Sequence, residues 1–235
     1  MAAAMLTATA IDGLPDLRLL RLLQLVSPQL PVGAFAYSQG MEWAVENGWV
    51  NSADTAAGWI GGLLCRSLAC FDIPLLDRLY RTWQTRDHGR FAYWNRYLLA
   101  GRGTAELQQE ERSMGRALLR LLPHLQPDWI DNASACQPGF TAMFAAAACN
   151  WDIPRQAACA GLLWAWSENQ VAAAVKLVPL GQTDAQRILT GLAEKIPGAV
   201  AQGLALGDEA IGASAPGLML ASALHETQYT RLFRS

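Results

Sequence analysis

The sequence predicts an all-α protein built as a single globular domain of about ten helices. Alanine and leucine dominate, and runs of alternating β-branched residues, which are typical of strands, are missing. Hydrophobic residues make up 52% and charged residues 16% of the 235 positions. Such a chain can bury a sizeable core and still leave apolar surface for partners. We divide it into a leader at 1–16, a helical domain at 17–224 and a tail at 225–235.

Prolines and glycines separate the first predicted helices. The leucine-rich residues 17–26 form the first helix, which Pro28 ends. Residues 33–40 then form a loop bounded by glycines. A short helix follows to about Asn47, where Gly48 is a typical stop. This stretch therefore predicts two helices joined by a glycine-bounded loop.

Capping residues mark the starts of several later helices. Ser52 and Asp54 are placed to cap a helix that runs to about Leu68. The tripeptide Asp-Ile-Pro at 72–74 opens the next helix, because proline is tolerated in the first turn. The same tripeptide recurs at 152–154. We therefore expect one kind of helix start to be used twice.

The rest of the domain is also predicted to be helical. Thr183 or Asp184 is expected to cap a helix that ends near Lys195, and a separate helix follows. A 3.6-residue period is clearest in 106–122, whose leucines share one face. The remaining predicted helices cover 91–100, 106–122, 140–149, 155–178, 183–195, 199–206 and 217–224.

The charges of helix 106–122 offer no catalytic pair. Glu110 and Glu111 are adjacent, and neighbours in a helix point about 100° apart, so we expect a solvated face and no acid–base dyad. Arg112, Arg116 and Arg120 form a ridge along the same helix. The ridge is either an ordinary solvent face or a surface that meets an acidic partner.

Known nucleotide, metal and membrane motifs are missing from the sequence. Loop 33–40 has glycines but lacks the lysine of a phosphate loop, so we expect no nucleotide hydrolysis, no cofactor and no enzyme activity. A formal charge of −2 gives no electrostatic reason to bind nucleic acid or anionic membranes. No apolar run reaches the roughly 18 residues of a membrane helix. We read 1–16 as a leader without a signal peptide, and we expect a cytoplasmic protein.

The cysteines and histidines leave two possibilities open. The sequence has five cysteines inside apolar stretches, which favours buried free thiols in a reducing compartment. A metal site built from Cys65, Cys70, Cys149 and a histidine is the alternative, although no Cys-x-x-Cys or His-x-x-x-His spacing occurs. We expect no metal. The five cysteines are Cys65, Cys70, Cys136, Cys149 and Cys159.

Two features of the long helix 155–178 carry polar groups in apolar surroundings. Glu168, Asn169 and Gln170 are consecutive, and buried polar groups must find partners. They pair internally, close a groove or contact another chain. Lys176 lies just before the break at Pro179 and either caps the last carbonyls or belongs to an interface.

The tail at 225–235 differs from an ordinary chain end, which is usually small and polar. It carries Tyr229, Leu232 and Phe233 among charged residues. Aromatic residues beside arginines anchor protein interfaces. We therefore expect the tail to be held, either by its own domain or by another protein.

Four motifs, in order, resemble those of the urease accessory protein UreF family. They are LQLVSPQLPVGAFAYSQGME at 23–42, TAEL with EER at 104–112, WSENQ with AAVKLVPLGQTD at 166–184, and HETQYTRLFRS at 225–235. The likeness spans about 17–235. The main departures lie before Leu17 and in the variable region 126–137.

This resemblance implies a non-catalytic chaperone for nickel insertion into urease. Members of the family are all-α homodimers that act with the accessory protein UreD, also called UreH. They recruit the nickel-carrying GTPase UreG to apo-urease (UreABC). Nucleotide chemistry would then belong to the partner.

The resemblance also implies which residues meet each partner. The GTPase-facing residues would be Phe35, Tyr37, Lys176 and Arg231. The tail would order against UreD, and we expect it to be mobile in the homodimer alone. Its UreD-facing residues would be His225, Glu226, Gln228, Tyr229, Leu232, Phe233 and Arg234.

Two other functions are weighed against this one. A hydrolase using His225 with Glu226 would need adjacent residues to point at one reaction centre, which they rarely do. A GTPase-activating protein would use Arg231 or Arg234 as an arginine finger toward UreG.

Overall fold

The computed structural model describes residues 16–126, 137–212 and 215–235. Over these ranges it contains ten α-helices and no β-strand, which confirms the predicted all-α fold. The predicted leader, apart from Asp16, lies outside the described residues, as do Cys136 and most of the variable region. None of the described helices is by itself long and apolar enough to cross a membrane; one bent pair, Ala53–Leu68 with Asp72–Gln84, meets the length and composition test.

The helices follow the predicted order closely. Nearly every predicted helix is present within a few residues of its expected ends. The third α-helix continues as one turn of π-helix at Leu64–Leu68. The ten helices are α1 Leu17–Val26, α2 Met41–Glu46, α3 Ala53–Leu63, α4 Asp72–Gln84, α5 His88–Gly101, α6 Ala105–Leu125, α7 Phe140–Asn150, α8 Arg155–Leu177, α9 Gln182–Ala205 and α10 Pro216–His225.

Local chemistry explains several of these boundaries. Ser52 and Thr55 form a reciprocal capping box at the start of α3, as expected for a serine cap. Gly48 follows α2 with a φ of +75°, a backbone conformation that glycine adopts without strain. Asp72 opens α4 with Pro74 inside the first turn. Thr104 caps α6, because its side-chain oxygen accepts the Leu107 amide at 3.3 Å.

The second Asp-Ile-Pro tripeptide does not open a helix, so the expected repeat is wrong. Asp152 has a φ of +52°, and α8 begins only at Arg155. The amides of Asp152 and Ile153 bond back to Cys149 and Ala148, at 3.1 Å and 2.9 Å. These bonds close the end of α7, so the tripeptide serves as a turn between two helices.

Helix α9 is longer than predicted. A break near residues 195–199 was expected, but one helix runs from Gln182 to Ala205 with Pro197 inside it. Its N-cap is Gly181, and neither Thr183 nor Asp184 has that role. The buried residues Leu192, Ile196 and Val200 continue one apolar face across the proline. Burial of that face outweighs the lost backbone hydrogen bond.

The core lies where α4, α7 and α8 meet. Every residue of α7 from Thr141 to Ala148 is buried, because both α4 and α6 pack against it. Helices α9 and α1 both pack against α8. The outer face of α1 leaves Leu17, Leu20 and Leu23 exposed.

Glu110 and Glu111 are both buried, so the predicted solvated face is wrong. The Glu111 carboxylate accepts Arg102 Nη2 at 2.8 Å and the Thr141 amide at 2.7 Å, and Arg102 also pairs with Asp72. Glu110 meets a different set of partners beside the tail. Because α7 and the tail cover this face of α6, both carboxylates are removed from water. Their separate surroundings agree with the expectation that they form no acid–base dyad.

The thiols and the arginine ridge have ordinary surroundings. Cys159 is buried, whereas Cys65, Cys70 and Cys149 are only half-buried, so the expectation of uniformly buried thiols is wrong. Burial raises the pKa of Cys159 to about 12. Among the described residues no cluster of three or more histidine, cysteine or acidic side chains is arranged to hold a metal ion. Arg116 and Arg120 are exposed, as on a solvent face.

Candidate functional site at the docked tail

The tail segment, residues 225–235, follows α10, and α10 is fixed closely to α2. Gly40 has a φ of +75°, and a Cβ there would lie 2.8 Å from the Ser222 amide nitrogen. Only glycine allows this close approach without strain. The Ser222 hydroxyl also lies 2.7 Å from the Thr104 hydroxyl at the start of α6. Helix α10 therefore sits on both α2 and α6 before the tail begins.

His225, the last residue of α10, lies between two carboxylates. It is 0% exposed. Its Nδ1 is 2.7 Å from Glu106 Oε2, and its Nε2 is 3.2 Å from Glu42 Oε2. The other oxygen of Glu106 accepts Arg231 Nη1 at 2.7 Å. One buried histidine thus joins α10 to α2 and α6, and one arginine joins the tail to α6.

Glu42 holds the backbone of the tail. Its Oε1 accepts the Leu232 amide at 2.6 Å, and its Oε2 accepts the Phe233 amide at 2.9 Å. Glu42 is itself buried in α2. Charge-assisted bonds to backbone amides are stronger than neutral ones, because one partner is ionised. The two bonds therefore fix the direction in which the side chains of Leu232 and Phe233 point.

The last residues of the tail pair with the loop before α2. The Arg234 amide donates to the Ala36 carbonyl at 2.8 Å. The Ser38 amide and hydroxyl donate to the Ser235 carbonyl at 2.7 Å and 2.6 Å. The Ser235 hydroxyl donates to Glu110 Oε2 at 3.0 Å. The tail thus closes over Glu110, and burial raises the pKa of that carboxyl to about 7 although bonds from Gln39 and Ser235 lower it.

Glu226 turns away from His225 and caps α6. Its Oε1 accepts the amides of Ala105 and Glu106 at 3.0 Å and 3.4 Å. These are free amides of the first turn of α6, where a negative charge is favourable. His225 and Glu226 therefore serve different contacts and share no reaction centre.

The tail separates two kinds of side chain. Tyr229 is 103% exposed and Leu232 is 65% exposed, whereas Phe233 is 6% exposed. The ring of Phe233 lies against its own domain, with Lys176 Nζ 5.5 Å from the ring centre. Residues 232–235 are bound along their backbone, whereas the mobile tail expected in the homodimer stays a prediction. Phe233 and His225 are occupied within the chain, and the exposed anchors are Tyr229 and Leu232.

Three of the four predicted GTPase-facing residues belong to the tail or lie next to a residue that contacts it. Phe35 is 70% exposed in a short 3₁₀ turn, Ala34–Ala36, whose Ala36 carbonyl binds the tail. The Tyr37 side chain is buried, so it offers no ring at the surface. Arg231 and Lys176 are both partly exposed. Arg231 belongs to the tail and pairs with Glu106, whereas Lys176 lies against the tail residue Phe233. The tail thus connects three of the four predicted residues.

The hydrogen-bonding groups of the three consecutive polar residues on α8, at 168–170, are satisfied only in part. The Asn169 amide donates to the Tyr37 carbonyl at 3.1 Å, and the neighbouring Trp166 donates to Gln39 at 2.8 Å. Burial raises the pKa of the Glu168 carboxyl. Gln170 is fully buried, and over the described ranges neither of its amide atoms has a hydrogen-bond partner. Internal pairing therefore accounts for Asn169 and leaves Gln170 unexplained.

A pocket of about 610 Å³ lies beneath the loop that receives the tail. Its walls are mainly apolar side chains of several elements, including α1, the loop after it, α5, α6, α8 and α10, with Glu110, Glu168 and Asn169 among the polar ones. Mostly apolar pockets with a few polar groups are typical ligand sites. Arg102 also lines it, but its guanidinium is already paired with Asp72 and Glu111.

Sequence reasoning missed four residues that bind the tail. Ser38, Glu42, Glu106 and Glu110 receive or make its polar contacts. Their contacts span more than a hundred residues along the chain, so no local pattern shows them. Ser38 and Glu42 do lie inside the motif at 23–42, and Glu106 and Glu110 inside the motif at 104–112. The meeting of those motifs with the tail was the available signal.

Comparison with known proteins places this chain in a family. The UreF family model matches residues 50–193. A protein of Alkalilimnicola ehrlichii is 50% identical over 226 residues, covering 94% of this chain and 97% of that protein. One of Pseudomonas putida is 51% identical over 224 residues, covering 94% and 99%. One of Chromohalobacter salexigens is 47% identical over 219 residues, covering 93% and 95%. All three are named urease accessory protein UreF, and this chain belongs to the UreF family.

Proposed function

We propose that the chain is a urease accessory protein that works as a non-catalytic scaffold. It joins UreD (UreH) and recruits the GTPase UreG to apo-urease (UreABC) for nickel insertion. The relatives at about half identity are named urease accessory protein UreF, which supports a role in urease maturation. The observation that carries the proposal is the docked tail, which presents Tyr229 and Leu232 outward while Glu42 holds the backbone amide of Leu232. Preorganised anchors bind with less loss of conformational entropy than mobile ones.

The two partners use different parts of one surface. Tyr229 and Leu232 are the UreD anchors, since their side chains are the most exposed apolar groups of the tail. Phe35, Lys176 and Arg231 form the UreG side. Because the Ala36 carbonyl binds the Arg234 amide, the loop that carries Phe35 is fixed by the tail. Binding of UreD at the tail would therefore also set the position of the UreG side.

The working form of the protein is a cytoplasmic homodimer. Free thiols, several of them half-buried, fit a reducing compartment. The exposed leucines on α1 form an apolar strip at helical spacing, Leu17, Leu20 and Leu23. Apolar strips of this kind usually become covered.

Replacement of the two exposed anchors tests the UreD contact. The double variant Tyr229→Ala and Leu232→Ala should bind UreD roughly a thousandfold more weakly, because interface anchors contribute about 2 kcal/mol each. Affinity is measured on purified UreD. Tyr93→Ala is the control, since Tyr93 is 49% exposed on α5, away from the tail. Equal affinity of the anchor variant and the control would reject the tail as the UreD site.

An arginine finger is the second candidate, because the side chain of the tail residue Arg231 is 40% exposed. Its pairing with Glu106 favours a positioning role, since a finger would have to leave that carboxylate. Arg231→Ala is compared with the unmodified protein for UreG affinity and for GTP hydrolysis in the saturated complex. Lower affinity with an unchanged bound rate supports positioning. A bound rate lowered about a thousandfold or more would identify a finger.

A further inference from the structure

His225 requires a proton that a neutral imidazole does not carry. Both ring nitrogens face carboxylate oxygens, Nδ1 at 2.7 Å from Glu106 and Nε2 at 3.2 Å from Glu42. A neutral imidazole donates from one nitrogen only, and the other presents a lone pair. Facing a carboxylate with a lone pair is repulsive. The observed geometry therefore needs one extra proton, shared by the ring and its two carboxylates.

The charges around the imidazole ring also indicate one extra proton. Glu42 and Glu106 bring two negative charges, Arg231 brings one positive charge, and all contacts are within 3.2 Å. A doubly protonated His225 balances the group, whereas a neutral ring leaves one uncompensated negative charge beside a fully buried side chain. Uncompensated buried charge is costly. No other cation contacts Glu42 or Glu106 within the described part of the chain.

The proton is coupled to the tail because the partners of His225 are also the partners of the tail. Glu42 binds the amides of Leu232 and Phe233, and Glu106 binds Arg231. If the ring loses its proton, both carboxylates are repelled from the nitrogen that faces them. Movement of either carboxylate breaks bonds to the tail.

We propose that His225 is a proton-operated clasp, which holds residues 231–235 on α2 and α6 when doubly protonated and releases them when neutral. Released residues expose Phe233 and uncover the Ser38 and Glu110 groups that the tail covers. The clasp is a property of the chain by itself and does not depend on the proposed partners. Binding of residues 231–235 to the domain then takes up one proton, so the docked state becomes less favourable as the pH rises.

Other titratable groups face this region and must be separated from His225. Glu110 on α6 contacts Ser235 and has a raised pKa of about 7, so its titration falls in the same pH range. Glu226 faces the first turn of α6, and Lys176 on α8 faces Phe233. The variant Glu110→Gln keeps the shape of the protonated carboxyl and removes its titration. The test is therefore made in that variant.

Amide hydrogen exchange of Leu232 and Phe233 measures docking directly. In the full-length Glu110→Gln protein, protection is followed from about pH 5.5 to about pH 9, the range that spans histidine titration. Rates are corrected for the intrinsic effect of pH. Release of one proton makes the docking constant fall by up to about tenfold per pH unit. Adding His88→Gln, at an exposed histidine, should leave that slope unchanged.

Two results would overturn the clasp. Protection of both amides that stays flat over this range contradicts it, whatever the state of the ring. The nitrogen chemical shifts of His225, measured in the same protein, give a second test that needs no change at the histidine. Shifts of a neutral imidazole while the tail is docked would contradict the doubly protonated ring that the proposal requires. Further replacement by His225→Gln should abolish the slope and leave weak docking at every pH.

Discussion

At the scale of single residues, Glu42 explains why an exposed-looking tail is bound. Two consecutive backbone amides converge on its two oxygens, which requires an acceptor at both positions. Only a carboxylate offers this in a side chain of this length. Glutamine would place an NH₂ group against one of the two amides. The position therefore depends on charge and on geometry together.

We predict that Glu42→Gln releases the tail. Loss of a charge-assisted bond costs about 1.5–3 kcal/mol, so the released fraction should rise about 10- to 100-fold. Trypsin cleavage after Arg231 measures it, since docking protects that bond. Glu46→Gln is the matched control, because Glu46 is an exposed carboxylate on the same helix. Equal cleavage of the two variants would show that Glu42 does not hold the tail.

Glu110 makes stability depend on pH. Its pKa is raised from 4.5 to about 7 by burial, so the folded state binds its proton more tightly than the unfolded state. The stability from this group is complete below about pH 4.5 and is lost as the pH rises to about 7. Glu110→Gln should remove that loss.

The variant should therefore gain stability relative to the unmodified protein as the pH rises, by on the order of 3 kcal/mol between pH 4.5 and pH 8. Urea unfolding at several pH values measures the difference. Glu209→Gln, at an exposed carboxylate, provides the comparison. A stability difference that does not vary with pH would mean that folding leaves the pKa of Glu110 unchanged.

At the scale of helices, the sequence predicted existence and type well, and boundaries less well. Caps such as Ser52 and stops such as Gly48 act locally, so they could be read from neighbouring residues. The long helix α9 could not, because Pro197 is a strong local signal that distant packing overrides. The second Asp-Ile-Pro failed for a related reason, since bonds to the end of α7 fix its backbone.

Helix α9 also offers a matched pair of glycine substitutions. At Gly203 a Cβ would lie 2.6 Å from the Ala69 carbonyl oxygen, whereas at Gly198 nothing lies within 4 Å. We predict that Gly198→Ala stabilises the protein by about 0.5–1 kcal/mol, the helix propensity gain. Gly203→Ala should destabilise it by about 1–3 kcal/mol, because the backbone must shift.

Thermal and urea unfolding of both variants measure this difference. The same chemical change in the same helix serves as its own control, since only the space at the new methyl group differs. If both variants gained equal stability, the close contact between α9 and the turn before α4 would be wrong.

At the scale of the whole molecule, the candidate site depends on contacts that no local pattern encodes. The tail was recognised from its residue types, yet its docking partners lie on α2, on α6 and in the loop before α2. Sequence alone left open whether its own domain or another protein holds it. The structure divides the tail, because Phe233 faces inward and Leu232 faces outward.

The same reasoning applies to the ion cluster at the centre of the domain. Arg102 joins Asp72 of α4 to Glu111 of α6, and Glu111 also holds the first turn of α7. Burial raises the pKa of Asp72 even beside this arginine. Removal of Arg102 would leave two buried carboxylates without their cation. We predict that Arg102→Met destabilises the fold by about 3–5 kcal/mol near neutral pH.

The loss should shrink as the pH falls, because Asp72 then takes up a proton and needs no cation. Urea unfolding at several pH values tests both statements. Arg116→Met on α6 is the control, since Arg116 is exposed and its removal should cost less than about 0.5 kcal/mol. A small loss at Arg102, or one that does not vary with pH, would mean that water reaches the cluster. Helices α4, α6 and α7 would then be held together by apolar packing alone. The ion cluster would be hydrated, although its side chains are buried.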